Sequence, residues 1–135
     1  AEYWRLRILP ELGRNRIEYV GPVDDVQKNE LLGQAAAMVV PIEWNEPFGI
    51  VFAEALACGT PVISAPRGAL PEIIDQGRHG FLVDTIDEGV RAVGQLHSID
   101  RAACRRRFED AFSAQFIANQ YLQLYDKLIN QHARS

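Results

Sequence analysis

A single carboxylate stands in a short apolar stretch near the middle of the chain. Glu54 is the one charged residue of positions 50–57, and a turn that ends at Gly49 comes directly before them. Burying a carboxylate among apolar side chains is costly unless another group donates hydrogen bonds to it. The free N–H groups in the first turn of a helix also favour an anion. A carboxylate and an anion site on one helix therefore predict a ligand with both hydroxyls and phosphates, such as a nucleotide.

The same residues have plainer explanations. Glu54 is equally compatible with an ordinary buried carboxylate paired with an arginine, since buried charges are usually paired. Glu46, taken alone, is compatible with an acid on a surface loop, and Trp44 beside it either shields a site or belongs to the core. Gly59 is explained as the residue that ends the helix. The residue types alone therefore leave a binding role and a structural role open.

The elements that must position this helix alternate between strands and helices. Positions 37–41 form an unbroken apolar run before the turn, and positions 62–64 form another after the helix. Such runs are typical of strands covered on both faces. Positions 16–20 and 81–83 predict two further short strands. Strands that alternate with helices over short connections predict an α/β domain with a parallel sheet.

Polar residues mark the starts of the other helices. Asp24 or its neighbour is suited to cap a first helix, and Thr85 with Glu88 three residues later forms a capping box. Asp100 and Ser113 are suited to cap the last two. The final helix places its apolar residues on one face, formed by Ile117, Tyr121, Leu124, Tyr125 and Leu128. With no strand between them, the final helices must pack on the flank of the sheet or reach toward something outside this chain.

Composition and charge argue against several classes of protein. With 135 residues, 47% apolar and 24% charged, the chain has the size and composition of one globular domain. A net charge of −4 and a pI near 5.3 argue against a nucleic-acid binder, because phosphate backbones require a basic face. The three arginines at positions 105–107 are interpreted as a solvated helix face. His79, His97 and His132 share no metal spacing, so we expect satisfied or surface histidines and no metal site.

Cysteine content and hydropathy indicate a reducing compartment. Cys58 and Cys104 stand alone, without a spacing typical of a metal site or a disulfide framework. No apolar run approaches the ~20 residues needed to span a bilayer, and no signal sequence opens the chain. We therefore expect a cytoplasmic protein.

The central stretch also carries an ordered set of motifs. Glu46 and Glu54 are separated by seven residues that begin Pro47-Phe48-Gly49, and the run from Glu54 continues Ala-Leu-Ala-Cys-Gly-Thr-Pro-Val-Ile. This pattern resembles the signature of the retaining glycosyltransferases of the group 1 family. Four more segments resemble that family in the same order: positions 19–21, 35–41, 68–74 and 77–83. The resemblance is nearly continuous from Ile17 to the end.

The resemblance implies a fold and a set of site residues. The family has two Rossmann-like domains in the GT-B arrangement, so we expect a Rossmann-like parallel sheet layered between helices. By position, Glu54 would bind the ribose hydroxyls of the donor nucleotide, and Glu46, the candidate catalytic residue, would lie near the transferred sugar. The N–H groups of Gly49, Ile50 and Val51 would hold the pyrophosphate, and the backbone at Val20 and Gly21 would dock the base. Phe48, in the turn before α2, is a further donor-binding position.

The resemblance covers only part of that architecture. A segment with an Arg and a Lys that neutralise the donor phosphates should lie upstream of Ala1, and nothing in positions 1–12 resembles it. Arg67 and Arg78 are candidates to replace those charges. We therefore expect positions 1–135 to be a single, partial donor-binding domain, an incomplete GT-B C-terminal domain that lacks its N-terminal acceptor domain. An exposed sheet edge left by such a truncation is also a route to self-association.

The predicted function is the donor half of a sugar transfer. The parent enzyme would move a sugar from a nucleotide diphosphate sugar to an acceptor, without a metal or any cofactor besides that donor. A helix dipole and cationic side chains would stabilise the departing diphosphate. The isolated chain is expected to be inactive and to bind nucleoside diphosphates weakly. Two alternatives stay open: a non-catalytic nucleotide-binding or interaction module, and a nucleotide-sugar epimerase or phosphorylase of the same fold.

Overall fold

The computed structural model describes residues 2–13 and 16–132. The helices in this part of the chain are α1 (Asp25–Gln34), α2 (Ile50–Ala57), α3 (Leu70–Ile73), α4 (Ile86–Gln95), α5 (Arg101–Ala111) and α6 (Ala114–His132). The strands are β1 (Met38–Val40), β2 (Val62–Ser64) and β3 (Gly80–Leu82). A π-helical turn covers Trp4–Ile8, and 3₁₀ turns cover Leu9–Glu11 and Leu96–Ser98.

The strands of the described residues form one parallel sheet in the order β1-β2-β3. Val39, Ile63 and Phe81 lie side by side across it. Helix α2 connects β1 to β2, and α3 connects β2 to β3. Each step between parallel strands therefore passes through a helix, as a crossover of this kind requires. The prediction of a Rossmann-like α/β sheet is confirmed.

The predicted strand at positions 16–20 is wrong. These residues form no strand, and the side chains of Tyr19 and Val20 are exposed. An alternating segment becomes a strand only where a neighbouring strand completes its hydrogen bonds and packs beside it. Within the described residues, the sheet has no strand next to this segment.

The core lies between the sheet and the helices that follow its strands. Its largest fully buried apolar side chains are Phe52, Leu56, Ile63, Leu70 and Ile74. All residues of β2 are buried, as the unbroken apolar run predicted. In β1, by contrast, Val39 is 56% exposed, so the expectation of cover on both faces is wrong for this strand. The reason is that α4 packs against β2 and leaves one face of β1 open.

Helix α5 binds the carboxyl ends of three other helices through arginines. Three arginines of α5 donate to backbone carbonyl oxygens of these helix ends: Arg101 to Gly33 in α1 and Ala35 directly after it, Arg105 to Ala57 in α2, and Arg107 to Glu72 and Ile73 in α3. Carbonyls at helix ends lack partners within their own helix, and a cation is favourable there. The interpretation of positions 105–107 as a solvated face holds for Arg105, whose side chain is 53% exposed, and is wrong for the half-buried Arg107. Arg106 pairs on the surface with Asp100, with Nη2 2.9 Å from Oδ2.

The predicted helix starts are confirmed. The side chain of Asp24 caps α1, and Thr85 with Glu88 forms a capping box at α4. The carboxylate of Asp100 accepts the Ala102 N–H at the start of α5 (2.9 Å), and the Ser113 hydroxyl accepts the Phe116 N–H at the start of α6 (3.2 Å). These starts could be predicted because a cap depends on residues within one turn.

Helix α6 extends away from the rest of the fold. It contacts α5 near its start, and none of its residues is buried. Its apolar side chains, Tyr121 and Leu128 among them, are exposed. Across residues 2–13 and 16–132, no helix is both long enough and apolar enough to cross a membrane.

Candidate functional site

Three loops meet at the carboxyl edge of the sheet. Residues 41–49 follow β1, residues 65–69 follow β2 and residues 83–85 follow β3. Residues from all three loops line an open, largely apolar cleft of about 510 Å³, among them Glu43, Arg67 and Asp84. In open α/β sheets, ligands bind outside the carboxyl ends of the strands. This edge of the sheet is therefore a candidate ligand-binding surface.

The first turn of α2 offers two free hydrogen-bond donors. The N–H groups of Phe52 and Ala53 turn back to the carbonyl of Gly49 (3.0 and 3.4 Å). The N–H groups of Ile50 and Val51, in contrast, have no acceptor in the described part of the chain. The side chains of both residues are exposed, so a ligand can approach. This turn can bind an anion without displacing an internal hydrogen bond.

Gly49 has a conformational role that differs from the expected one. Its φ is +84°, and a Cβ there would lie 2.7 Å from the ring of Phe52. Its N–H donates to Oε1 of Glu46 at 3.1 Å and is therefore already engaged. Glycine is required here by the left-handed turn and the buried ring. The expected pyrophosphate N–H groups are thus available at Ile50 and Val51 only.

Glu46 is held from three directions. Its Oε1 accepts the Gly49 N–H, and its Oε2 accepts the indole Nε1–H of Trp44 at 3.0 Å. Its backbone carbonyl accepts the Ala69 N–H at 2.8 Å. Gly68 lies so close that a Cβ would overlap the Glu46 backbone. The loops after β1 and β2 therefore fix this carboxylate together.

Glu54 is not buried, contrary to the sequence-based expectation. Ile50, Val51 and Glu54 lie on the exposed side of α2, while Phe52 and Ala55 lie on the buried side. The Glu54 side chain is 32% exposed. A helix that is apolar in composition thus still has one face toward solvent, and the desolvation cost inferred from the neighbouring residue types does not apply.

The partner of Glu54 is a lysine, a residue that sequence reasoning missed. Oε1 of Glu54 accepts from Nζ of Lys28 at 2.8 Å, and Nζ is also 3.0 Å from Oδ1 of Asp25. The hydrogen bond to Glu54 and then that to Asp25 raise the pKa of Lys28. The alternative of an arginine partner is therefore not realised. Oε2 of Glu54 accepts from no described residue. The three-residue spacing of Asp25 and Lys28 was the available signal, and it points only to a pair within α1.

The remaining predicted positions line other surfaces of the molecule. Val20 lines a separate shallow depression of about 270 Å³ with residues of α1, and Gly21 next to it adopts a φ of +70°. Arg67 lines the cleft at the carboxyl edge of the sheet. Arg78 precedes β3 and therefore lies at the opposite edge. Of the two candidate cations, Arg67 is the one at the carboxyl edge of the sheet, where the turn before α2 also lies.

The histidines are satisfied or exposed, as expected. His79 is buried, and its Nδ1 accepts the Asp75 N–H at 3.3 Å. Burial lowers the pKa of His79, although the nearby Asp75 carboxylate acts in the opposite direction. The exposed His97 and His132 contact carbonyls of their own helical turns. Within the described residues, no group of three His, Cys, Asp or Glu side chains is arranged to hold a metal ion.

Known proteins resemble this chain over most of its length. Residues 2–106 match the family described as Glycosyl transferases group 1. A D-inositol 3-phosphate glycosyltransferase from Nocardioides sp. is 36% identical over 116 residues, which cover 81% of this chain and 25% of that protein. An alpha-maltose-1-phosphate synthase from Mycolicibacterium smegmatis is 37% identical over 113 residues, which cover 73% of this chain and 29% of that protein. The chain therefore spans less than a third of these relatives.

Two solved structures share the fold. The sucrose-phosphate synthase from Thermosynechococcus elongatus has a TM-score of 0.70 and 31% identity, covering 87% of this chain and 31% of that chain. The Anabaena protein HepE, solved in complex with UDP-glucose, has a TM-score of 0.70 and 23% identity, covering 84% of this chain and 33% of that chain. The likeness to HepE concerns the fold alone. The expected GT-B fold is confirmed for the part of it that this chain covers, and the matched residues show that this chain belongs to the group 1 glycosyltransferase family.

Proposed function

We propose that this chain is the donor-binding part of a retaining glycosyltransferase, which transfers a sugar from a nucleotide diphosphate sugar to an acceptor. The proposal is carried by the first turn of α2, where the N–H groups of Ile50 and Val51 have no acceptor among residues 2–13 and 16–132; in the chain, this turn follows Glu46 and precedes Glu54. Membership of the group 1 family supports the reaction class. The UDP-glucose complex of a fold neighbour is in keeping with a donor of this kind.

The diphosphate of the donor would bind at the tip of α2. The N–H groups of Ile50 and Val51 would donate to it, and the positive end of the helix dipole would favour its charge. Phe48, exposed beside them, would border the same site. Arg67 would supply a cation from the cleft at this edge of the sheet. Together these groups would stabilise the departing diphosphate without a metal ion.

The ribose hydroxyls of the donor would bind Glu54. Its Oε2 is unengaged in the described part of the chain, while Oε1 pairs with Lys28. Glu54 lies five residues beyond Gly49, which is about 7 Å along a helix axis. A charged acceptor at this distance from the phosphate donors fits a nucleoside diphosphate, because its hydroxyls and phosphates are separated by the sugar ring.

Glu46 would face the transferred sugar, and the backbone at Val20 and Gly21 would dock the base. We further propose that residues 1–135 form part of a donor domain, and that a separate acceptor domain completes the enzyme. The share of the relatives that the chain covers supports this division. A cytoplasmic location, supported by the unpaired thiols of Cys58 and Cys104, belongs to the same proposal.

The test is a binding assay with the full-length protein that carries this chain. Nucleoside diphosphates and the corresponding nucleosides are titrated by calorimetry with a chelator present. We expect one diphosphate to bind and its nucleoside to bind at least about tenfold more weakly, because the donors at the α2 tip recognise phosphate. A sugar derivative of the same diphosphate should serve as the transfer donor. Absence of binding across the panel would overturn the proposal, and a strict requirement for a divalent ion would overturn its metal-independent part.

A further inference from the structure

The indole of Trp44 lies on the surface of the molecule. Its side chain is 58% exposed, so the alternative that it belongs to the core does not hold. Its one polar atom, Nε1, nevertheless donates to Oε2 of Glu46 at 3.0 Å. A large exposed ring contributes little to core packing, and the N–H of this ring donates to a carboxylate two residues away. Its contact with Glu46 is its most specific interaction.

This contact completes the fixation of Glu46. Oε1 is already held by the Gly49 N–H, and the backbone is held by the Ala69 N–H. With only Oε1 engaged, the carboxylate could rotate about its last torsion, which has a broad energy profile. The second donor, from Trp44, sets the plane of the carboxylate. A charged acceptor bound by two donors is both stronger and better oriented than one bound by a single donor.

We propose that Trp44 is a positioning residue, which orients the Glu46 carboxylate toward the transferred sugar and lines the sugar subsite with its exposed ring. The proposal rests on the proposed function, because it takes Glu46 as the carboxylate beside the sugar. An aromatic ring with an apolar body and a polar tip suits a surface that must contact a sugar while directing a carboxylate. Precise orientation of such a group affects the chemical step more than the binding of the nucleotide.

Two substitutions separate the N–H of Trp44 from its ring. Trp44→Phe keeps an aromatic ring and removes the donor, so we expect kcat to fall by about tenfold with little change in donor KM. Trp44→Ala removes both, so the donor KM should rise as well. Since Trp44 is exposed, neither variant should lower the thermal unfolding midpoint strongly. A purely structural role would instead change stability and leave the ratio of the two kinetic parameters alone.

Tryptophan fluorescence gives a readout that is independent of turnover. The nucleotide sugar should change the emission of the full-length protein, and this change should disappear in Trp44→Phe. Trp4→Phe is the comparison variant: Trp4 packs against Tyr19, next to the proposed base-docking backbone, and makes no contact with Glu46. Its loss should keep the difference in emission between the nucleotide sugar and the sugar-free diphosphate, whereas Trp44→Phe should abolish that difference. The sugar-free nucleoside diphosphate should bind wild type and Trp44→Phe equally.

The outcomes distinguish this inference from the proposed function. If nucleotides bind and sugar is transferred, but Trp44→Phe keeps the wild-type kcat and the fluorescence change, the inference about Trp44 is refuted and the function stands. If no nucleoside diphosphate binds to the wild-type protein, the proposed function is refuted, and the inference about the sugar subsite is refuted as well because it rests on that function.

Discussion

The ion pair of Glu54 and Lys28 allows a binding role for the glutamate to be separated from a structural one. Glu54→Gln removes the charge that ribose hydroxyls would bind, and it also ends the ion pair. Lys28→Met ends the same ion pair and leaves the carboxylate in place. If Glu54 binds the donor, the first substitution should weaken nucleotide binding much more than the second.

The expected size of the effect follows from the contacts. Oε1 of Glu54 is 2.8 Å from Nζ of Lys28, and Oε2 is unengaged among the described residues. A hydrogen bond to a charged group contributes about 1.5–3 kcal/mol, so Glu54→Gln should raise the Kd for the nucleoside diphosphate about 10- to 150-fold. The effect of Lys28→Met on Kd should be small, because both side chains are about a third exposed and water can replace the ammonium.

Calorimetric titration of the full-length variants measures both values. Glu72→Gln is the matched control. Glu72 lies exposed on α3, so this substitution removes the same charge from a different helix. Thermal unfolding of each variant shows whether the fold is retained. Equal losses of affinity in Glu54→Gln and Lys28→Met would refute a direct contact with the donor. An unchanged Kd in Glu54→Gln would remove this residue from the site altogether.

Three further substitutions or conditions probe the scaffold. Gly68→Ala should lower the thermal unfolding midpoint more than Gly77→Ala, because both glycines have positive φ but only the methyl at position 68 would overlap neighbouring backbone; equal shifts would contradict this. Because burial lowers the pKa of His79 in the folded state, the unfolded chain binds the proton first, so the free energy of unfolding in urea should fall as the pH drops below about 6.5. His79→Gln should reduce that dependence, and an unaltered pH profile would exclude His79 as its source. Arg107→Met should cost about 1–3 kcal/mol of unfolding free energy and Arg106→Met much less, since only Arg107 binds carbonyls at the end of α3; comparable urea midpoints would count against the capping role.

The parts of the fold that could be predicted from sequence depend on residues close together in the chain. Gly59 was assigned as the end of α2, and it has a φ of +69° with its N–H on the carbonyl of Leu56 (2.8 Å). The capping box of Thr85 is equally local. The buried strand β2 was predictable because a short, unbroken apolar run between two helices is typical of a strand covered on both faces.

The parts that could not be predicted depend on distant residues. Lys28 lies 26 positions from Glu54 in the chain, and the sequence of α1 contains no pattern that predicts a contact with α2. In the sequence, Arg105 and Arg107 belong to a basic run typical of a solvated helix face. Only the fold shows that they bind carbonyls at the ends of other helices. The exposure of Val39 likewise follows from the position of α4, which local sequence does not specify.

Helix α5 also determines how the molecule comes apart. Since its arginines bind the ends of α1, α2 and α3, local opening of α5 would release all three helices together. Amide protons in these four helices should therefore exchange with solvent as one cooperative unit, whereas those of α6, which buries no side chain, exchange separately. The turn that carries Glu46 and Gly49 should therefore stay folded only while α5 does, although α5 takes no part in binding.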